Sequence, residues 1–439
     1  MAALTKKKYF FETYGCQMNK AESQALQGQL NDAGWQAAAG ADDAALIVLN
    51  TCSVRKTAEN RVWGRLGYYR HLKTHKQFKL VVLGCMSERL SEELFSNGDI
   101  DIVIGNFQKH RLIEVVDETI AAGTRFVLSG KQEFKFKGVH SRDGFKSFVP
   151  IMHGCDNYCT YCIVPYVRGP EISRSPSSIL EEIELLDNGG YKEITLLGQN
   201  VNSYRHFDGS RIMSFPVVLE LIAKKADNIC RLRFLTSHPK DFSDELLAVL
   251  AENPIFCRHI HLPVQHGSNK ILASMGRGYS REQYMSLAEK IRATISGVAI
   301  STDILIGFPG EEEQDLDQTL ELMEEVRFDD AYTYRYSPRE GTKAYEMADS
   351  VAEEIKLQRL SRVIELQRRI AGQNRMARIG ENVAVLVEDR SKKNGQELLG
   401  RTDGNEMVVF PGETSKIGTM TEVELLSLSG TTFHGKETK

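Results

Sequence analysis

Cys155-Asp156-Asn157-Tyr158-Cys159-Thr160-Tyr161-Cys162 places three cysteines within eight residues, in the spacing CxxxCxxC. Thiolates this close in the chain can surround one metal centre. A 4Fe-4S cube has four irons, so three cysteine ligands leave one iron free to bind a group that is not protein. A structural zinc ion needs four protein ligands instead, and His153 is the candidate for the fourth. The octet therefore favours an open iron-sulfur cluster, with zinc as the alternative.

Composition sets the class of protein. The chain has 439 residues, which is enough for two or three domains, and its 41% hydrophobic and 26% charged residues are ordinary for a soluble globular protein. No run of eighteen apolar residues exists, and the short basic start, Met1 to Lys8, has no apolar segment behind it. We expect a cytoplasmic protein without a membrane partner.

The net charge and the number of cysteines further restrict what type of soluble protein this is. The net charge of −4 does not support a general electrostatic grip on nucleic acid, so any RNA contact must come from local patches. Eight cysteines in a chain of this size do not make a disulfide scaffold. Six of them lie beside turns, glycines or each other, as ligands do. Cys230 and Cys257 lie next to apolar runs and are expected to be small buried hydrophobes.

The first hundred residues alternate between β-rich runs and amphipathic stretches, which predicts an open, doubly wound parallel sheet. The predicted strands are Lys8–Thr13, Leu46–Asn50, Leu80–Leu83 and Ile100–Ile104, and the predicted helices are Ala21–Ala33 and Thr57–Leu72.

Single cysteines follow the first three of these strands. Cys16, Cys52 and Cys85 are 36 and 33 residues apart, about one strand-helix unit each. Ligands of open α/β sheets bind beyond the carboxyl ends of the strands, where such turns converge. We therefore expect the three thiols to form a second metal centre, although three unrelated loop cysteines are the alternative.

A stretch rich in glycine and lysine, residues 129–146, predicts an interdomain linker. Phe134, Phe136 and Phe145 lie among its lysines. Such aromatics can stack on single-stranded RNA, or they can pack between two domains. The sequence leaves both possibilities open.

A second strand-helix series fills residues 147–340 and predicts a partial barrel of six units. Its strands are Phe148–Met152, Glu193–Leu197, Leu232–Thr236, His259–Leu262, Val298–Ile306 and Ala331–Tyr336. Barrel chemistry sits at the carboxyl ends of the strands, and the cysteine octet follows the first strand. The later strands are followed by polar turns, namely Gly198–Asn202, Ser237–Pro239, Gln265–Ser268 and Asp303–Glu311. His238 or His266 could act as a general base, but a hydrogen-bonded turn histidine is the stronger reading of each.

The C-terminal part begins with a charged helix, Ala352 to about Arg378, and ends in five short β runs. These runs are Val383–Val387, Leu398–Arg401, Met407–Phe410, Thr421–Leu426 and Thr431–His434. Five short strands with turns between them predict a small OB-like barrel, a common RNA-binding shape. Arg390, Lys392, Lys393 and Arg401 could form a patch against phosphate or could simply be a solvated loop.

Two cysteine triads followed by a small β tail resemble the radical S-adenosylmethionine (SAM) methylthiotransferases over essentially the whole chain. The resemblance implies an N-terminal methylthiotransferase domain over residues 6–124, a radical SAM core over 141–372 and a TRAM domain over 375–437. Gly15–Asn19, Asn50–Arg55, Asn157–Tyr166, Thr236–Pro239 and Leu262–Gln265 look most like the MiaB branch, which modifies dimethylallyladenosine in tRNA. His266 stands where that branch more usually has serine.

The resemblance also implies residue roles. Cys155, Cys159 and Cys162 would hold the 4Fe-4S cluster that binds SAM, and Cys16, Cys52 and Cys85 would hold a second 4Fe-4S cluster that donates sulfur. The implied SAM contacts are Tyr161, Gly198, Gln199, Asn200, Ser237 and Gln265. The bound cofactor would supply a 5′-deoxyadenosyl radical, because side-chain acids and bases cannot open an aromatic C–H bond.

The implied partners are the anticodon loop of tRNA, a reduced flavodoxin or ferredoxin as electron donor, and an iron-sulfur carrier. The protein is expected to be a monomer. Three alternatives stay open at this point. The substrate could be threonylcarbamoyladenosine in tRNA or an aspartate of a ribosomal protein, or the chain could be a zinc-stabilised RNA-binding protein without catalysis.

Overall fold

A computed structural model describes residues 7–122, 125–128, 136, 138–140, 144–348 and 350–438. Its first unit is a six-stranded parallel sheet in the order β2-β1-β3-β4-β5-β6. The strands are β1 Lys8–Thr13, β2 Gln36–Ala37, β3 Leu46–Thr51, β4 Lys79–Gly84, β5 Ile102–Gly105 and β6 Phe126–Leu128. The helices are α1 Gln17–Asp32, α2 Lys56–Lys73, α3 Cys85–Arg89, α4 Ser91–Ser96 and α5 Leu112–Ala122.

Strand β3 shows why the sheet is doubly wound. All six of its residues are buried, as expected for a strand covered by helices on both faces. Ile47 and Leu49 belong to one hydrophobic cluster, and Leu46 and Val48 belong to another. The predicted open α/β domain is confirmed. The sequence pattern missed β2 and β6, because strands of two and three residues give too little alternation to recognise.

The central unit carries six parallel strands in two sheets of three, β13-β10-β7 and β14-β15-β16, which meet at β13 and β14. The barrel strands are β7 Lys146–Pro150, β10 Glu193–Leu197, β13 Arg231–Leu235, β14 His259–His261, β15 Ala299–Ile306 and β16 Asp330–Arg335. Four short strands form two separate antiparallel pairs, β8 Met152–His153 with β9 Ile172–Ser173, and β11 Arg205–Phe207 with β12 Ile212–Ser214. The helices are α6 Val164–Arg168, α7 Pro176–Asn188, α8 Phe215–Lys225, α9 Asp244–Glu252, α10 Asn269–Ser274, α11 Arg281–Thr294, α12 Glu313–Val326 and α13 Glu353–Met376. This is the predicted partial barrel of six units.

The N-terminal unit contacts both outer strands of this partial barrel. On one side, Met18 of α1 packs with Leu197 and Phe148. On the other side, the guanidinium of Arg55 donates to the hydroxyl of Tyr334 on β16 at 3.5 Å. The N-terminal unit therefore spans the opening that six strands leave in the barrel wall.

The last unit is a closed five-stranded barrel in the order β17-β18-β19-β21-β20, as predicted. Its strands are β17 Asn382–Arg390, β18 Glu397–Arg401, β19 Met407–Pro411, β20 Met420–Ser429 and β21 Thr432–Glu437. Two buried arginines of β13 fix it to the central unit. Arg233 donates to the carbonyls of Thr402 and Asp403 at 2.7 Å each, and Arg231 donates to those of Ala384 and Arg401 at the same distance.

The linker aromatics that the structure describes pack inside the protein. The ring of Phe136 lies 5.4 Å from the guanidinium of Arg174, and Phe145 lies against Gly418 of the C-terminal barrel. Of the two possibilities that the sequence left open, these two residues therefore follow domain packing. Phe134 lies outside the described residues, as does most of the predicted linker.

One sequence expectation about burial was wrong. Cys230 is exposed and Cys257 is only half-buried. Cys230 precedes the first residue of β13, in a turn where its sulfur faces the carbonyl of Asn228 at 3.7 Å. Proximity in sequence to an apolar strand was therefore not enough to predict that these cysteines are buried.

Candidate iron-sulfur and cofactor site

Cys16, Cys52 and Cys85 follow the carboxyl ends of β1, β3 and β4, where the parallel sheet brings them together. The glycines before the first and the third have positive φ, +117° at Gly15 and +104° at Gly84, which side chains rarely adopt. A Cβ on Gly15 would lie 3.0 Å from the sulfur of Cys52. Glycine at this position lets the first cysteine turn approach the second.

The three thiols also interact electrostatically. Burial, followed by the nearby Cys85 and Cys16, raises the pKa of Cys52 to about 12. Both other thiols are therefore within electrostatic reach of Cys52, and a metal cation would supply the charge that stabilises Cys52 as a thiolate.

Within the octet, Cys155 and Cys159 are buried and Cys162 is half-buried, whereas Tyr158 is exposed. The amide of Cys155 donates to the carbonyl of Gly169 at 3.1 Å, and that of Cys162 donates to the carbonyl of Cys159 at 2.9 Å. Burial raises the pKa of Cys155 to about 11, and burial together with the neighbouring Cys159 raises that of Cys162 to about 12. Like Cys52 of the first triad, Cys155 and Cys162 therefore favour the neutral thiol until a metal centre binds.

Arg277 is a functional candidate that the sequence reading missed. It is 5% exposed, and its guanidinium donates to the sulfur of Cys159 at 3.3 Å. A charged donor on a ligand sulfur stabilises the thiolate form. The available signal was an arginine between two glycines, Gly276 and Gly278, directly after the largely apolar residues 271–275.

The zinc alternative can be tested on His153, its candidate fourth ligand. The ring nitrogens of His153 face Arg168 at 3.3 Å and Asn106 at 3.3 Å. Within the described residues, no group of three or more His, Cys, Asp and Glu side chains has the geometry to hold a single metal ion. A cubane binds each thiolate at a different iron, so its ligands stand further apart than those of one ion. Both ring nitrogens of the candidate fourth zinc ligand therefore have partners within the protein, which does not favour the zinc alternative.

The barrel mouth carries buried polar atoms without hydrogen-bond partners, on the turns that follow β10 and β13. They are Gln199 Oε1, Asn200 Oδ1, both amide atoms of Asn202, Ser237 Oγ and His238 Nε2. The two turns are joined by the amide of Val201, which donates to the carbonyl of Thr236 at 3.0 Å. Buried polar atoms cost free energy unless they are paired, so this set fits a polar ligand such as SAM.

The remaining predicted SAM contacts lie in different surroundings. Gly198 packs against the side chain of Met152. Tyr161 packs on the cluster of Ile271 and Met275. Gln265 has a φ of +72°, and its backbone is hydrogen-bonded to Asp303 and Leu305. The contact between the two turns therefore brings Gln199, Asn200 and Ser237 together, whereas SAM contacts of Tyr161, Gly198 and Gln265 stay predictions.

Both turn histidines are hydrogen-bonded, as the stronger sequence reading predicted. Nδ1 of His238 accepts from the amide of Lys240 at 3.3 Å. Nδ1 of His266 accepts from the amide of Ser268 at 3.0 Å, and its Nε2 faces Glu311 at 3.3 Å. Burial, and then the charge of Arg277, lowers the pKa of His238 to about 2. A base this weak does not suit proton abstraction near neutral pH.

Family profiles match all three units of the chain. The radical SAM superfamily matches residues 149–323, the family described as "Uncharacterized protein family UPF0004" matches 8–105, and the TRAM domain matches 377–435. The first match contains the octet, and the second contains the dispersed cysteines.

Solved structures show the same architecture. The radical S-adenosylmethionine methyltransferase TsrM from Kitasatospora setae, solved with cobalamin and a 4Fe-4S cluster, superposes with a TM-score of 0.58. The match covers 78% of this chain and 74% of that one, at 15% identity. At this identity the likeness extends to the fold alone.

Curated relatives match nearly the full length of the chain. Proteins named tRNA-2-methylthio-N(6)-dimethylallyladenosine synthase are 47% identical in Treponema denticola, covering 97% of this chain and 98% of the relative, and 42% identical in Phocaeicola vulgatus, covering 98% and 96%. A radical SAM enzyme of this kind uses SAM and a 4Fe-4S cluster. The chain belongs to the radical SAM methylthiotransferase family, in the branch of the tRNA-2-methylthio-N(6)-dimethylallyladenosine synthases.

Proposed function

We propose that the protein converts N(6)-dimethylallyladenosine at position 37 of tRNA to its 2-methylthio derivative, using SAM and two 4Fe-4S clusters. The single observation that carries the two-cluster proposal is the packing of one triad against the segment that follows the other. Cys85 packs directly against Ile163 and Val167, which follow the octet in the chain. A sulfur-donating centre at Cys16, Cys52 and Cys85 would thus lie beside the SAM-binding centre at the octet.

The chain's own residues have distinct tasks in this proposal. Cys155, Cys159 and Cys162 would hold the SAM-binding cluster, and Gln199, Asn200 and Ser237 would pair with polar groups of SAM. The bound cofactor supplies the radical that removes hydrogen from an unactivated aromatic carbon. Arg277 would stabilise the thiolate form of Cys159, and Tyr161 packs against Ile271 and Met275.

The C-terminal barrel supplies the RNA contact. Lys392 and Lys393 are exposed there, whereas Arg401 is engaged with Glu388 at 3.5 Å and with the carbonyl of Asn405 at 3.0 Å. Arg390 is also exposed, with one hydrogen bond from its guanidinium to the hydroxyl of Thr414 at 3.2 Å, so Arg390 and the two lysines are the members of the predicted patch that remain available for phosphate. An anticodon loop presents unpaired bases, which suits a recessed site better than a duplex does.

The remaining partners follow from the chemistry. Reductive cleavage of SAM needs one electron, which a reduced flavodoxin or ferredoxin would deliver, and an iron-sulfur carrier would load the clusters. We propose that the protein works as a monomer in the cytoplasm. Within the described ranges, each helix is too short or too polar to cross a membrane.

The experiment is anaerobic reconstitution with iron and sulfide, followed by incubation with SAM, reductant and tRNA that carries dimethylallyladenosine. Mass spectrometry of the digested nucleosides should reveal the 2-methylthio product. Unprenylated tRNA and tRNA with threonylcarbamoyladenosine are the matched controls. A product on either control but not on the prenylated tRNA would contradict the substrate, and the same mass gain on a ribosomal protein alone would contradict tRNA as the target.

A further inference from the structure

A buried arginine lies between the two cysteine triads. Arg168 is the last residue of α6, six positions after Cys162, and is 3% exposed. Its guanidinium crosses into the N-terminal unit, where it donates to Glu22 Oε1 at 2.9 Å and to Asn19 Oδ1 at 2.7 Å. Arg168 is thus attached by the backbone to one triad and by hydrogen bonds to the unit that carries the other.

Asn19 extends this connection to the first triad itself. Its Oδ1 also faces the sulfur of Cys16 at 3.8 Å, and its amide nitrogen donates to the carbonyl of Thr51, the residue before Cys52, at 3.0 Å. One side chain therefore joins Arg168 to two of the three cysteine turns.

The network around Arg168 pairs two cations with one fully buried carboxylate, while a second carboxylate, the half-buried Glu88 of α3, acts on Lys109. Glu22 is buried and ion-paired with both Arg168 and Lys109, and Lys109 is itself buried. Two cations and one carboxylate leave a net charge of +1 for these three groups.

This arrangement of buried charges is not expected to stabilise the fold by itself. Buried ion pairs often stabilise a fold no better than apolar residues of similar volume, and an unmatched buried cation adds a cost. An anionic group next to the network would offset that cost. Three thiolates outweigh the charge of an oxidised cubane core, so a cluster at Cys16, Cys52 and Cys85 would be anionic, and reduction would make it more so.

We propose that Arg168 is a positioning residue that holds the first triad against the octet and, with Lys109, lowers the cost of reducing the cluster at Cys16, Cys52 and Cys85. The inference rests on the proposed function in one respect, namely that this triad holds a cluster. It adds the residues that set the potential of that cluster and its place relative to the SAM site.

The test uses the full chain with Cys155, Cys159 and Cys162 changed to alanine, so that one cluster remains. In that background, Arg168→Gln, Arg168→Lys and Lys109→Met are reconstituted, and the midpoint potential is measured by a redox titration followed by electron paramagnetic resonance. Arg168→Gln and Lys109→Met should shift the potential to more negative values. Arg168→Lys keeps the charge and should shift it less.

Arg174→Gln is the matched control, because Arg174 is also a buried arginine paired with a glutamate, Glu182, at 2.7 Å, but it lies in the central unit alone. It should leave the potential unchanged. A loaded Arg168→Gln protein with the parent's potential overturns the proposal, as does an equal shift in the Arg174→Gln control.

If Arg168→Gln binds less iron than the parent, thermal unfolding of the metal-free proteins distinguishes a positioning role from a structural one. If the metal-free variant unfolds at the parent's temperature but binds less iron, positioning of the triad is supported. If it unfolds well below both the parent and the Arg174→Gln control, the role is structural and the proposal is overturned. A parent background that binds no cluster at all contradicts the proposed function itself, and this inference with it.

Discussion

The guanidinium of Arg277 donates a hydrogen bond to the sulfur of Cys159 across 3.3 Å. The same guanidinium is held by the hydroxyl of Tyr279 at 2.9 Å and donates to the carbonyl of Pro263 at 2.9 Å. Its position is therefore fixed before any cluster binds. Hydrogen bonds to ligand sulfurs raise the reduction potential of an iron-sulfur cluster, because they stabilise the added negative charge.

Replacing Arg277 with methionine should make the octet cluster harder to reduce. Loss of a group that orients a metal ligand typically costs about 10–100-fold in metal affinity or activity. We expect reductive cleavage of SAM to slow by about 10-fold or more, measured as release of 5′-deoxyadenosine. Arg281→Met, four residues along on α11, is the control, since its partners Glu321 and Glu325 lie on α12. Equal rates for the two variants would contradict the role of Arg277.

The two triads should fail differently when mutated. Cys159→Ala removes a ligand from the SAM-binding centre and should abolish SAM cleavage. Cys52→Ala removes a ligand from the other centre and should leave cleavage in place while stopping formation of the methylthio product. The measurements are 5′-deoxyadenosine release and nucleoside mass spectrometry on the same samples. Equal loss of cleavage in both variants would contradict the proposed division of labour.

Asn202 should contribute to SAM binding through its two buried and unpartnered amide atoms. Asn202→Leu keeps the size of the side chain but removes both polar atoms, so any hydrogen bonds to SAM are lost. At about 1–3 kcal/mol for an unmatched buried group, the Kd for SAM should rise about 5-fold to 150-fold, as measured by equilibrium dialysis on the reconstituted protein. Asn188→Leu, the same change at an exposed helix end, should leave the Kd unchanged. An unchanged Kd for Asn202→Leu would exclude this turn from the cofactor site.

The parts of the fold that the sequence predicted are those with a strong local pattern. α9 and α12, which run over Asp244–Glu252 and Glu313–Val326, have apolar positions that recur at helical spacing, a pattern that is visible in the sequence. The hairpin of β11 and β12 was missed, since its strands have three residues each and expose Phe207 and Ile212. Local periodicity does not report strands that pair at the surface.

The candidate site likewise contains residues that a local sequence pattern predicts and residues that it does not. The six cysteines were found because spacing and strand ends are visible in the chain. Arg168 and Arg277 were missed, because their partners Glu22 and Cys159 lie 146 and 118 residues away. Contacts between residues so far apart in the chain produce no recognisable pattern in a single sequence. Only the packed structure shows that these arginines are buried.

Arg233 should be required for docking of the C-terminal barrel. Arg233→Met removes two hydrogen bonds to that barrel and also one partner of Glu193, whose Oε2 lies 3.0 Å from Nε of Arg233. Burial alone would raise the pKa of Glu193, but Arg233 and Lys146 hold it below its usual value. Breaking a buried pair costs about 3–5 kcal/mol, so limited proteolysis should separate the barrel faster from the rest of the chain.

The control for this change is Arg258→Met. Arg258 also meets the C-terminal barrel, at 3.5 Å from Asp403, but 58% of its side chain is exposed. Exposed pairs contribute about 0–1 kcal/mol, so its proteolysis rate should stay near that of the parent. Docking that survives Arg233→Met, or that fails equally in both variants, would show that other contacts hold the barrel.

Acid should destabilise the metal-free protein through its buried histidines. Burial, followed by the charge of Arg233, lowers the pKa of His259 to about 3, and the pKa of His238 is about 2. The unfolded chain has histidine pKa values of about 6.5, so below that pH it binds more protons than the folded protein does. The free energy of unfolding should therefore fall as pH drops below about 6.5, by about 2 kcal/mol for each of these histidines at pH 5.

Urea unfolding of the reduced, metal-free protein at pH 7 and pH 5 measures this loss. His259→Gln removes one titrating group, so its stability should depend on pH less steeply than the parent's, by about 2 kcal/mol between the two conditions. His71→Gln alters an exposed histidine on α2 and should keep the parent's pH dependence. The comparison concerns the difference between the two pH values, so a general loss of stability in His259→Gln does not affect it. The same loss from pH 7 to pH 5 in His259→Gln and in the parent would show that His259 is not held neutral in the folded protein.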